Sequence, residues 1–133
     1  LGRLVGSEMC IRDRSSMTPT IVLKENKPFL VIGSPGGSTI ITTTMQTILN
    51  VVDYEMDIKE AVCAPRFHSQ WLPDVIQIEP RGLTKDVLIN LKSRGHEIIY
   101  RGGYIGESNG IMITDEGLFG GGDCRGETSA IGY

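Results

Sequence analysis

Several things are scarce in this 133-residue chain, and each absence excludes a class of function. No apolar run reaches the roughly 18 residues of a membrane helix, so no helical span is expected within the sequence. Basic residues are too few and too scattered for a nucleic-acid face: 13 Lys and Arg stand against 16 Asp and Glu, for a net charge of −3. The two histidines, His68 and His96, lack ligand spacing to each other or to a cysteine, so they read as packing or surface side chains and no metal site is expected. The three cysteines, Cys10, Cys63 and Cys124, form no CxxC pair and cannot all pair within one chain. That odd count argues against a disulfide-built secreted scaffold, without excluding an oxidising compartment. The phosphate loop GxxxxGK[ST], the dinucleotide fingerprint GxGxxG and the nucleophile elbow GxSxG are all missing, and no Ser-His-Asp triad is visible.

What remains is the profile of one soluble globular domain. The chain is long enough for a single core and too short for two ordinary domains; it is 40% hydrophobic and 22% charged. Residues 1–14 show neither helical nor strand period, carry three arginines and lack the clean apolar stretch of a targeting peptide. Ser7 to Arg14 is similar to translated sequencing-adapter read-through. Residues 1–14 are therefore expected to be a non-native leader and 15–133 the domain, read as a fragment.

Two β-rich runs, Thr20 to Lys24 and Pro28 to Ile32, flank Glu25-Asn26-Lys27 and predict a hairpin. The second run is apolar almost throughout, which predicts cover on both faces. Ile40, Ile41, Met45, Ile48, Leu49 and Val52 recur at three- and four-residue spacing and predict a helix over 39–52 that buries this stripe, capped by Ser38 or Thr39. A short helix is expected over 57–63, stopped before Pro65. A strand should cover 75–79, and a helix should place Leu83, Val87, Leu88 and Leu91 on one face and end at Gly95. Residues 97–100 read as a further strand. A second hairpin is expected around Asp115-Glu116-Gly117. The order ββα(α)βαβββ is a mixed α/β (α+β) layer protein, not a doubly wound parallel sheet.

The stretch that carries most chemical information is Gly33-Ser34-Pro35-Gly36-Gly37-Ser38, between a predicted strand and a predicted helix. There the amides of Gly36 and Gly37 can converge on an anion or a developing negative charge; equally, the stretch can be a plain tight turn. The Ser15-Ser16 hydroxyls can bind a ligand carboxylate or line a solvated loop. In Pro65-Arg66-Phe67-His68-Ser69-Gln70-Trp71, Trp71 can stack on a ligand. The structural alternative pairs Arg66 with a carboxylate or helix end and puts Phe67 and Trp71 in the core. Asp123-Cys124-Arg125 and Gly132-Tyr133 read as closure of the last hairpin, and Cys124 lacks a flanking base that would make it a nucleophile.

Ser15 to Thr20, Gly33 to Ser38, Ala64 to Pro73 and the Gly-Tyr end together resemble the small subunit of γ-glutamyltranspeptidases, in order and in register. The resemblance implies an N-terminal-nucleophile hydrolase with an αββα sandwich, incomplete in this chain. It implies a proenzyme that cuts itself, freeing a threonine whose α-amine is the base for its own hydroxyl. That threonine attacks γ-glutamyl donors such as glutathione and passes the glutamyl group to water, an amino acid or a peptide, with no metal or organic cofactor. Ser15 and Ser16 would bind the donor's α-carboxylate, and Gly36 and Gly37 would form the oxyanion hole. The large subunit from the same proenzyme would supply an arginine for that carboxylate. The family's setting implies a periplasmic or extracellular location.

Two departures stand out. The nucleophilic threonine is expected some tens of residues before Ser15, so these residues alone are expected to be inactive; Thr42, Thr43 and Thr44 lie inside the predicted helix. Where family members commonly carry arginine, this chain has Thr39. The rival expectations are a cephalosporin-acylase-like hydrolase on the same scaffold and a non-catalytic binding domain.

Overall fold

A computed structural model describes residues 17–131; Ser15, Ser16 and the Gly132-Tyr133 end lie outside the described residues. Strands β1 (Thr20–Lys24) and β2 (Lys27–Gly33) form the first hairpin. Its turn is two residues, not three: Glu25 and Asn26 adopt φ of 52° and 62°, the left-handed pair that matches the twist of a tight hairpin, and Lys27 already belongs to β2. After a 3-10 turn (Gly37–Thr39) come α1 (Ile40–Val52) and α2 (Ile58–Cys63), the latter capped by the Asp57 carboxylate, which accepts from the Glu60 amide. Strands β3 (Phe67–Ser69) and β4 (Ile76–Ile78), helix α3 (Lys85–Ser93) and strand β5 (Ile98–Tyr100) follow. The second predicted hairpin is β6 (Asn109–Thr114) and β7 (Gly117–Gly121).

The strands form two sheets. One is antiparallel in the order β1-β2-β6-β7; the other runs β3-β4-β5, with β4 and β5 parallel across the α3 crossover. This is the mixed α+β architecture expected from the sequence. The expected element order lacked only β3, too short and too polar for its alternation to register.

Helices α1 and α2 cover one face of the four-stranded sheet. Leu30 and Ile32 of β2 point to that face and pack with Val51, Ile58, Ala61 and Val62. At about 25 cal/mol per Å² of apolar area, such side chains contribute roughly 1.5–3 kcal/mol each. The expectation that β2 is covered on both faces is corrected: its side chains alternate, and Val31 is exposed. Val31 pairs with Ile21 on one side and Ile111 on the other, so three exposed apolar side chains form a cross-strand row on the bare face. Leu118 extends this face beside Ile113.

Helix α1 bears out its expected buried stripe only at Ile40, which is buried, and Ile48, which is half-buried against the core. Ile41, Met45, Leu49 and Val52 are exposed, whereas Thr43, Thr44, Gln46 and Thr47 are buried. Local bonds satisfy Gln46 and Thr47, while Thr43 Oγ1 reaches the Ile105 carbonyl at 3.5 Å and Thr44 Oγ1 is buried with no hydrogen-bond partner among the described residues. Thr47 Oγ1 donates to the Thr43 carbonyl at 3.0 Å, and Gln46 Nε2 donates to the carbonyls of Thr42 (2.9 Å) and Phe67 (2.7 Å). Hydroxyls that use the helix's own carbonyls can enter a close-packed face at little desolvation cost. Helix α3 likewise buries none of its residues, though Leu88 and Leu91 are half-buried. Phe67 and Trp71, expected as core, are 40% and 86% exposed.

Two of the three cysteines are joined: Cys63, at the end of α2, bonds Cys124 across 61 residues of sequence. Closing so long a loop restricts the unfolded chain. Reduction with a dithiol is expected to cost about 2–4 kcal/mol, read as a drop in the denaturant midpoint that reoxidation reverses. An unchanged midpoint contradicts the pairing.

Candidate functional site

Strand β2 ends at Gly33, and the chain turns into α1 through Ser34 to Ser38. Ser34 is fully buried; its amide donates to the Met17 carbonyl at 2.8 Å and its hydroxyl to the Pro35 carbonyl at 2.8 Å. The first bond brings the residue directly after Ser16 to the foot of the glycine turn. Gly36 has φ 139° and Gly37 φ 62°, conformations that L side chains rarely adopt. The turn is tied off by Thr39, whose hydroxyl (2.9 Å) and amide (3.3 Å) both donate to the Gly36 carbonyl. Thr39 thus occupies the N-cap position of α1 without capping it, since its hydroxyl donates backward and accepts nothing from the helix.

The amides of Gly36 and Gly37 donate to no described residue, and both glycines are exposed. They stand at the start of a 13-residue helix whose first turn carries no acidic side chain. Unengaged N–H groups and the positive end of the helix dipole are what an anion needs. The two glycines singled out in the sequence therefore come together in one exposed turn with both amides unengaged.

The turn is propped from behind by a feature that sequence reading missed. Residues 101–108 bring Gly106 against it: a Cβ on Gly36 would sit 3.1 Å from the Gly106 Cα, and a Cβ on Gly106 (φ 64°) would collide with Thr43. That loop is held by a buried cluster of four charges. Arg66 contacts Asp123 at 2.7 Å; Arg125 contacts Glu79 at 2.5 Å and Asp123 at 3.0 Å. The same groups fasten the backbone of Val62, Ala64, Ile105 and Ser108. Arg66 Nη1 donates to the Ile105 carbonyl (3.0 Å) and Nη2 to Val62 (2.6 Å); Arg125 Nη2 donates to Ala64 (2.8 Å). Glu79 accepts from the Ile105 amide (2.7 Å) and Asp123 from the Ser108 amide (2.6 Å). Pairing of Arg66 with a carboxylate and the end of α2 matches the structural reading of its motif. The carboxylate was illegible because Asp123 lies 57 residues away in sequence.

Electrostatics follow this packing. Burial alone would raise the Glu79 carboxyl, but hydrogen bonds from Arg125 and the amides of Ile105 and Arg66 outweigh it and hold the group below the usual range. Asp123 behaves alike: burial opposes, while the Ser108 amide, Arg66 and Arg125 prevail. Arg66 is lowered by burial, against the pull of Asp123. Both carboxyls have folded values below their unfolded ones, so their contribution is complete above the ordinary carboxylate range and is lost as pH falls through the folded values. The denaturant midpoint is expected to fall as pH drops below about 4, and to fall less in Asp123→Asn. A midpoint indifferent to acid contradicts the cluster.

A glycine turn with free amides, opening a helix on an α+β two-sheet scaffold, is the equipment of an N-terminal-nucleophile hydrolase. The sequence profile of the Gamma-glutamyltranspeptidase family matches residues 10–133, and the chain belongs to that family. It is 45% identical over 115 residues to the glutathione hydrolase proenzyme of Escherichia coli, covering 86% of this chain and 20% of that protein. A structure of a Helicobacter pylori γ-glutamyltranspeptidase variant matches with 52% identity and a TM-score of 0.78, over 84% of this chain and 62% of that one. The cephalosporin acylase of Bacillus halodurans matches at 25% identity with a TM-score of 0.72, over 85% and 22%. The chain thus spans about a fifth of the curated relative's length.

Proposed function

We propose that this chain is the oxyanion-stabilising part of a γ-glutamyl acyltransferase and hydrolase acting on glutathione and related γ-glutamyl compounds. The observation that carries the reading is the Gly36-Gly37 turn with both amides unengaged, in a member of this family. In this reading a threonine from the remainder of the precursor attacks the γ-carbonyl, its own α-amine taking the hydroxyl proton. The carbonyl oxygen becomes an oxyanion that accepts from the Gly36 and Gly37 amides. Collapse expels the donor's amine and leaves a threonyl ester, which water, an amino acid or a peptide then resolves. Ser15 and Ser16 bind the donor's α-carboxylate; the bond from the Ser34 amide to the carbonyl of Met17, the residue after Ser16, supports this. A large subunit from the same precursor completes the site. Work in the periplasm or outside the cell is supported by the Cys63–Cys124 disulfide, which persists in oxidising compartments.

The test is release of the anilide from a γ-glutamyl anilide by the complete precursor, with and without a dipeptide acceptor. Release stimulated by the dipeptide supports transfer. Release that ignores the acceptor points to the acylase reading, and no release to a binding domain.

A further inference from the structure

We propose that His68 and Thr42 form a positioning pair that sets the angle of the glycine turn on helix α1. This inference rests on the oxyanion reading above and extends it to two side chains remote from the anion itself. His68, on β3, is 2% exposed, and its Nδ1 lies 2.8 Å from Thr42 Oγ1 in the first turn of α1. Its Nε2 lies 3.0 Å from Gln70 Oε1, and the Gln70 amide nitrogen donates onward to the Leu72 carbonyl at 3.0 Å. That commitment fixes Gln70 Oε1 as an acceptor, so Nε2–H donates to it and Nδ1 is the ring nitrogen that faces Thr42. Thr42 Oγ1 also reaches the Thr39 carbonyl at 3.0 Å, so one hydroxyl lies between the ring and that carbonyl.

Thr39 is the residue that ties off the turn through the Gly36 carbonyl. A continuous chain therefore runs from Leu72 through Gln70, His68, Thr42 and Thr39 to Gly36. It links the two motifs that stand out in the sequence, the glycine turn and the segment from Pro65 to Trp71. Gln46 braces the same junction, accepting from the Phe67 amide at 3.1 Å while donating to the Phe67 and Thr42 carbonyls. The side chains of Gln70, His68, Thr42 and Thr39 do not touch the anion; their effect is to hold two amides at the place where the charge develops. Such a contribution appears in turnover more than in donor binding.

The experiment uses the complete precursor and a γ-glutamyl anilide. Thr42→Val and His68→Leu are each expected to lower kcat about tenfold with donor KM within about twofold, since a displaced donor is felt in the transition state. The double variant should fall no further than the worse single, because both break one link. His68→Asn, which keeps a hydrogen-bonding atom near the Nδ1 position, should recover most of the loss. A rise in KM at constant kcat, losses that multiply in the double variant, or wild-type turnover in Thr42→Val overturns the proposal. If His68→Leu does not fold, Thr42→Val decides alone. Gly36→Ala in the same assay separates the two levels. Full turnover there sinks the oxyanion reading itself; loss there with normal Thr42→Val sinks only the positioning pair.

Discussion

Gly36→Ala in the complete precursor is expected to lower kcat by about two to three orders of magnitude, the usual loss for one oxyanion donor put out of place. The substitution keeps the amide but not its position. An added Cβ would lie 2.9 Å from Thr39 Oγ1 and 3.1 Å from the Gly106 Cα, and neither neighbour can retreat. Thr39 is tied to the Gly36 carbonyl, and Gly106 is backbone wedged against Thr43. The residue also sits at φ 139°, open essentially to glycine alone. Gly37→Ala provides the contrast. No atom lies within 4 Å of its added Cβ, and φ 62° costs an alanine only about 1–2 kcal/mol. Its kcat should fall by about tenfold at most. Steady-state kinetics of the two variants checks the order; equal losses would mean that the Gly106 prop does not constrain the turn.

Arg66→Met should be the most damaging change to stability, by about 3–5 kcal/mol. It removes one of the two arginine partners of Asp123, whose side chain is wholly buried, so that Arg125 alone faces two carboxylates, and it takes one donor each from the carbonyls of Val62 and Ile105. A deficit of that size is a large share of the roughly 5–15 kcal/mol available to a domain. The informative comparison adds Asp123→Leu. Removing both charges should restore part of the loss, since the damage comes from an uncompensated buried charge more than from the missing attraction. Denaturant midpoints of the single and double variants decide this; a double variant as poor as the sum of its parts argues that the cluster acts through shape alone.

Which parts of this architecture were legible in the sequence follows from how local their causes are. Glu25-Asn26 and Asp115-Glu116-Gly117 announce hairpins because turn chemistry is set within four residues. The turn at Gly36 and Gly37 was legible for the same reason, and its reading as an oxyanion hole comes from the family resemblance. Helix α1 was placed correctly and faced wrongly. Periodicity reports where apolar side chains recur, but burial went to Thr43, Thr44, Gln46 and Thr47, of which Gln46 and Thr47 find carbonyls on the helix itself. The charge cluster was beyond reach because Arg66, Glu79, Asp123 and Arg125 meet only through the fold. His68 read as a packing histidine, and it is one. Its role at the turn depends on Thr42 lying 26 residues before it.

The four-charge cluster has a dynamic consequence. The end of α2, the start of β3, the end of β4, residues 105–108 and residues 123–125 are fastened there by shared donors and acceptors. Segments that hang on one fastening open together, with a single opening free energy. Amide hydrogen exchange at Ile105, Ser108 and Arg66 is therefore tied to one event, and so is the backing of Gly36 by Gly106. The glycine turn is as long-lived as a knot of arginines and carboxylates on its far side.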